Sequence, residues 1–168
     1  TEGRLCVVDA GAEIESHYCS DFTRTLPSGG RFTERQKEIY NIVLAANNAA
    51  ASLSRPGISY RNVHLAASRV ILDGLKNVGL VKGDLDEALA NGVQGLFMPH
   101  GLGHNMGLDV HDMENLGENY VGYDATVSRS QQFGLASLRM ARVLKPGHVI
   151  TDEPGIYFIP ALIEQWKE

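Results

Sequence analysis

The chain has 168 residues, 43% of them hydrophobic and 21% charged, which suits one globular domain with a real core. A formal charge of −5 and a pI near 5.7 give no electrostatic reason to expect a nucleic-acid partner. No apolar run approaches the roughly 18 residues a bilayer span needs. Cys6 and Cys19 form neither a disulfide framework nor a CxxC pair, so a reducing, cytoplasmic setting is expected.

The first elements in chain order are two β-rich runs, Leu5 to Ala10 and then HYCSDFTRT, joined through GAEIES. They read as an antiparallel hairpin that sets Asp21 across from Asp9. Thr33, with Gln36 at capping-box spacing, opens a long helix that Arg55-Pro56-Gly57 ends. Ser59 caps a second helix running to about Asn77, and a short third is possible at DLDEALANG. FMPHGLGHNMGLDVHDMENLG has loop character, and NYVGYDATVSRSQQ reads as a long loop. LASLRMARVL is expected to be helical, and HVITDEPGIYFIP to form two short β runs around Pro154-Gly155. Strands first, helices next and irregular strands last make an α+β pattern.

The chemistry-bearing residues stand at turns and strand ends. Asp9 follows the apolar run Leu5-Cys6-Val7-Val8; each Asp taken alone is more often a simple strand terminator or Asx turn. His100 and His104 sit four apart in His-Gly-Leu-Gly-His, with His111 close behind in Gly-Leu-Asp-Val-His-Asp. That spacing places the first two on one side, and the intervening glycines let backbone approach a ligand closely. Glu153 precedes Pro154, which biases it to an extended conformation. Carboxylates with a little imidazole favour Mn²⁺, Co²⁺, Fe²⁺ or Zn²⁺ over a thiolate-type zinc site. Convergent carboxylates repel one another unless cations neutralise them, so two divalent ions are expected, and two metals about 3.5–4 Å apart perform hydrolysis. There is no GxSxG, and GLGHNMG lacks the strand–helix context of a nucleotide site, so no other cofactor is expected.

VVDAGAE, SDFTRTLP, HGLGHNMGLDVHD and ITDEPGIY, in that order, closely resemble the metallopeptidases of the pita-bread fold, in their Xaa-Pro aminopeptidase and prolidase branch. The resemblance implies a curved antiparallel sheet with helices on its outer face. It implies two divalent ions, Mn²⁺ being the expected metal and Co²⁺, Zn²⁺ or Fe²⁺ the alternatives, held by Asp9, Asp21, His104 and Glu153. His100 and His111 would position substrate and help stabilise the tetrahedral intermediate. Water would attack the carbonyl of the bond preceding proline, with Glu153 assisting proton transfer. The implied partner is a proline-containing peptide, with no nucleic acid or membrane, and the parent enzyme would be a homo-oligomer. Arg24 and Arg142 read as structural.

The sequence departs from that family in one ligand. A second glutamate expected beyond the EPG motif is not found, and Glu164 and Glu168 lie in the wrong setting for it. Residues 1–168 therefore read as part of a catalytic domain, lacking an N-terminal domain, the first part of the catalytic domain and C-terminal strands. Such a piece alone is expected to be inactive. The rival readings are a creatinase-type C–N hydrolase of the same fold, a non-catalytic binding homologue, and a plain structural domain.

Overall fold

The computed structural model describes residues 3–166; Glu168, weighed above as a ligand, lies outside them. Strands β1 (Leu5–Ala10) and β2 (Phe22–Pro27) pair antiparallel, with Asp9 opposite Thr23 and Ala10 opposite Phe22. Asp21 is thus one residue beyond the strand rather than directly across from Asp9. The run from His17 to Asp21 is not strand, because its backbone bonds go elsewhere: Ser20 N–H donates to Ala12 O and Cys19 N–H to Gly107 O.

Helix α1 (Glu34–Leu53) starts at the expected capping box, with Thr33 Oγ1 accepting from Gln36 N–H and the Gln36 side chain accepting from Thr33 N–H. Helix α2 (Tyr60–Asn77) is capped by the Ser59 hydroxyl. The two helices pack closely enough that a Cβ on Gly74 would stand 2.6 Å from Ile42 Cγ2. A glycine inside a helix costs about 1 kcal/mol against alanine, and here it permits the close approach. Helix α2 supplies the middle of the core: Tyr60, Val63, Ala67, Ile71, Leu72 and Leu75 are fully buried against Ala46 and Ala50 of α1 and against Met98 and Leu102. Helix α3 (Leu85–Ala90), capped by Asp84, closes one side.

The second half is built from turns. Single turns of 3₁₀ helix cover Val93–Leu96 and Glu114–Leu116. Two short helices follow, α4 (Glu118–Val121) inside the expected long loop and α5 (Pro160–Gln165) after the EPG segment. LASLRMARVL is not helical. Its backbone donors go sideways, Ala141 and Arg142 N–H to Gly122 O and Leu144 N–H to Ile58 O, and its apolar side chains divide between two small cores. The run around Pro154 does not form the two expected strands either. Residues 149–153 nonetheless pair with 102–106: Met106 N–H donates to Val149 O, Thr151 N–H to His104 O and Glu153 N–H to Leu102 O. Further on, Tyr157 N–H donates to Phe97 O.

Within the described residues the sheet is a two-stranded ribbon with both faces in solvent. Val7 is 59% exposed and Phe22 60%, so apolar side chains of the ribbon face solvent. Among the described residues no helix is long and apolar enough to cross a membrane.

The hydroxyl of Tyr60 donates to Thr151 O at 2.5 Å, tying the start of α2 to the segment that carries Glu153. Tyr60→Phe removes a buried donor and strands that carbonyl, so thermal denaturation should show a loss of about 1–3 kcal/mol.

Candidate metal centre

Three backbone segments meet at one point. The 102–106 and 149–153 segments run antiparallel, and the Cys19 N–H bond to Gly107 O, 2.8 Å, brings the Asp21 turn onto the same edge. There, one ligand atom each from Asp21, His104 and Glu153 lie within 4.8 Å of one another. His104 Nε2 is 3.2 Å from Glu153 Oε1 and 3.4 Å from Asp21 Oδ2. Asp9 stands outside the trio, and its charge raises Asp21.

The polar partners orient each group. His104 Nδ1 lies 2.9 Å from Asn105 O, and since a carbonyl only accepts, that nitrogen carries a proton. In the neutral ring Nε2 then offers a lone pair toward the carboxylates. Thr151 Oγ1 accepts from His104 N–H at 3.0 Å and donates to Glu153 Oε1 at 2.7 Å, so one hydroxyl fixes both residues.

The electrostatics report crowded acids. Asp21 is pushed above the usual carboxylate range by loss of water on burial, then by the charge and hydrogen bond of Asp9 and by Glu153, against the pull of His104. Burial drives Glu153 upward as well, but hydrogen bonds from His104 and Thr151 and the nearby imidazoles outweigh it, and Glu153 sits below its ordinary value. His104 is held down by burial yet raised on balance by Glu153, Asn105 and Asp21. Oxygen donors that repel, gathered around a nitrogen lone pair, are a donor set a divalent cation neutralises, and Asp21, His104 and Glu153 fit such a cation.

The other two histidines flank the trio. The His111 ring meets the His104 ring edge to face, with centroids 4.3 Å apart. Arg139 Nη1 donates to His111 Nδ1 at 3.1 Å and also binds Glu114. A guanidinium only donates, so His111 keeps its proton on Nε2. His100 is edge to face with Tyr157, with centroids 5.3 Å apart, and its Nδ1 donates to Gly101 O. Arg142 bonds the Asp124 carboxylate and Val121 O, and Arg24 lies over the Phe22 ring. Sequence reasoning missed Thr151, Arg139 and Tyr157. Thr151 and Tyr157 sit inside or beside the quoted ITDEPGIY motif and could have been singled out, whereas Arg139 reaches His111 from 28 residues away and left no local signal.

Gly103 shows how tightly the two segments are apposed: a Cβ there would fall 2.2 Å from Thr151 O and 2.7 Å from its hydroxyl. Gly103→Ala must separate them, at about 1–3 kcal/mol as overpacking typically costs, seen as a lower midpoint of thermal unfolding.

Comparison with known proteins finds similar peptidases. Mouse (Mus musculus) Xaa-Pro dipeptidase is 44% identical over 166 residues, 98% of this chain and 32% of that protein. A probable Xaa-Pro aminopeptidase of Fusarium vanettenii is 40% identical over 168 residues, 99% of this chain and 34% of that one. Zinc-substituted Escherichia coli aminopeptidase P in complex with product superposes with a TM-score of 0.76 at 39% identity, over 95% of this chain and 31% of that structure. The chain shares the pita-bread fold of these neighbours and spans about a third of their length. The family model for metallopeptidase family M24 matches residues 1–167, and the chain belongs to that family.

Proposed function

We propose that this chain forms part of the catalytic domain of an Xaa-Pro peptidase, an enzyme that hydrolyses the peptide bond preceding proline and releases the N-terminal residue. The observation that carries the reading is the convergence of Asp21, His104 and Glu153 at one edge of a chain similar to Xaa-Pro dipeptidases and aminopeptidases. Asp9, Asp21, His104 and Glu153 would hold two divalent cations, with Mn²⁺ the expected pair. When bound, such ions supply Lewis acidity toward the peptide carbonyl and make a water more acidic.

The chain's own groups then have distinct tasks. Glu153, whose Oε1 accepts from the Thr151 hydroxyl, takes a proton from the attacking water. As the water oxygen bonds to the carbonyl carbon and the C–N bond breaks, that proton passes to the departing proline nitrogen. His111, its Nδ1 occupied by Arg139, offers Nε2–H to the oxygen on which negative charge develops. His100, set against Tyr157, flanks the site and positions substrate. The enzyme would work on soluble peptides in the cytoplasm, as a homo-oligomer.

Two outcomes check the assignment. The full-length protein supplied with Mn²⁺ should cleave an Xaa-Pro peptide, and His104→Ala or a chelator should abolish release of the N-terminal residue. A folded, metal-loaded protein that leaves the peptide intact would move the reading to a creatinase-type C–N hydrolase or a binding role. Thr151→Val should cost about 10–100-fold in metal affinity, the scale of losing a group that orients ligands, in calorimetric titration. Residues 1–168 alone carry three of the carboxylates and should bind metal weakly; two tight sites in the same titration would contradict this.

A further inference from the structure

Residues 107–112 turn away from the 102–106 segment and come back to it. Leu108, Asp109 and Val110 at the tip of this loop, and His111 beyond them, are exposed, so packing does little to set its shape. Polar bonds set it instead. Asp112 N–H donates to Asn105 O at 3.1 Å and closes the loop at its base. Gly107 N–H donates to Asp109 O at 3.1 Å, and Asp109 N–H donates to Asp112 Oδ1 at 3.2 Å. Asp112 therefore bonds the base of the loop through its backbone and the tip through its carboxylate. The chain leaves through Met113, whose φ of 60° is a left-handed conformation that a bulky side chain rarely takes.

Two parts of the centre hang on this loop. His111, next to Asp112, sets its ring edge to face against His104, with centroids 4.3 Å apart, and takes the Arg139 bond on Nδ1. On the other flank, Gly107 O accepts from Cys19 N–H at 2.8 Å and Leu108 O from the Cys19 thiol at 3.3 Å, two residues before Asp21. A change in the loop's shape would move the ring and the aspartate together. The carboxyl of Asp112 packs directly on Gly107: a Cβ there would lie 2.7 Å from Oδ2 and 2.8 Å from Cγ. The Gly107 backbone lies outside the left-handed region, so the nearest obstacle to an alanine is that carboxyl.

We propose that Asp112 is a positioning residue for the metal centre. Its carboxylate holds the loop in the shape that sets His111 against His104 and anchors the Asp21 turn, and it acts on the reaction only through those neighbours. The kinetic consequence rests on the peptidase reading, while the effect on metal affinity rests on the ligand cluster alone.

The test uses the full-length protein. Asp112→Ala removes the carboxylate, and Asp112→Asn keeps an oxygen to accept the Asp109 N–H. Gly107→Ala leaves Asp112 intact but displaces its carboxyl. Calorimetric titration with Mn²⁺ reads the hold on Asp21, and kcat on an Xaa-Pro peptide at saturating Mn²⁺ reads His111. Asp112→Ala and Gly107→Ala should each weaken Mn²⁺ binding and lower kcat by about tenfold, the scale of losing a group that orients others. KM should stay nearly unchanged, as for an interaction made only in the transition state. Asp112→Asn should recover most of both. Combining Gly107→Ala with Asp112→Ala should cost no more than Asp112→Ala alone, because the two act on one contact. A loss confined to thermal stability, equal losses in Asp112→Asn and Asp112→Ala, or additive losses in the double variant would overturn the proposal. So would a change in only one of the two readouts. If Asp112→Ala does not fold, Gly107→Ala decides: tenfold losses support the proposal and wild-type values refute it. A full-length protein that cleaves no Xaa-Pro peptide contradicts the peptidase reading, and the titration then decides this proposal alone.

Discussion

Thr151 joins the imidazole and the glutamate of the candidate centre. Its hydroxyl takes the His104 N–H and gives its own proton to Glu153, and its backbone N–H bonds His104 O. Its carbonyl, in turn, receives the Tyr60 hydroxyl from the core helix. One residue thus ties an imidazole, a carboxylate and the hydrophobic core into a single frame. Gly103 is the matching constraint, since any side chain there would hold the two segments apart. The order of dependence runs from the α1–α2 core through Tyr60 to Thr151, and from Thr151 to the ligand atoms. Preorganisation of this kind is what lets acidic groups stay close despite their mutual repulsion.

The other side of the site is less secured. Asp9 and Asp21 come from an exposed two-stranded ribbon whose apolar residues have little covering them. An isolated hairpin is at best marginally stable in water, so the position of these two aspartates depends on few contacts. The Cys19 N–H bond to Gly107 O and the Ser20 N–H bond to Ala12 O hold the Asp21 turn in place, and Gly11, where a Cβ would sit 2.0 Å from Ser20 O, permits the close approach. The imidazole–glutamate half rests on the core, and the aspartate half rests on backbone bonds at a turn.

Much of this was legible in the sequence where one local rule decides the outcome. The capping box at Thr33 and Gln36 and the Ser59 cap placed both long helices, because caps act within a single turn. The motifs around Asp21, His104 and Glu153 announced a metal-type cluster, and the three do converge. What failed were the segments ruled by distant partners. LASLRMARVL has helical spacing, but its donors are claimed by Gly122 and Ile58, so tertiary bonding overrides propensity. Residues 149–153 are strand-like in their bonding yet pair over too short a stretch to make a strand. Asp21 lies two residues from its expected place opposite Asp9, which Thr23 takes, since the hairpin ends at Phe22. Arg139 acts on His111 from 28 residues along the chain, and spacing rules reach only a few residues.

The most direct measurement is anomalous diffraction at the manganese edge from crystals of the full-length protein grown with Mn²⁺. The account predicts two peaks enclosed by Asp9, Asp21, His104 and Glu153, within coordination distance of His104 Nε2 and the carboxylate oxygens. Peaks located elsewhere, or a site without metal in a folded protein saturated with Mn²⁺, would contradict it.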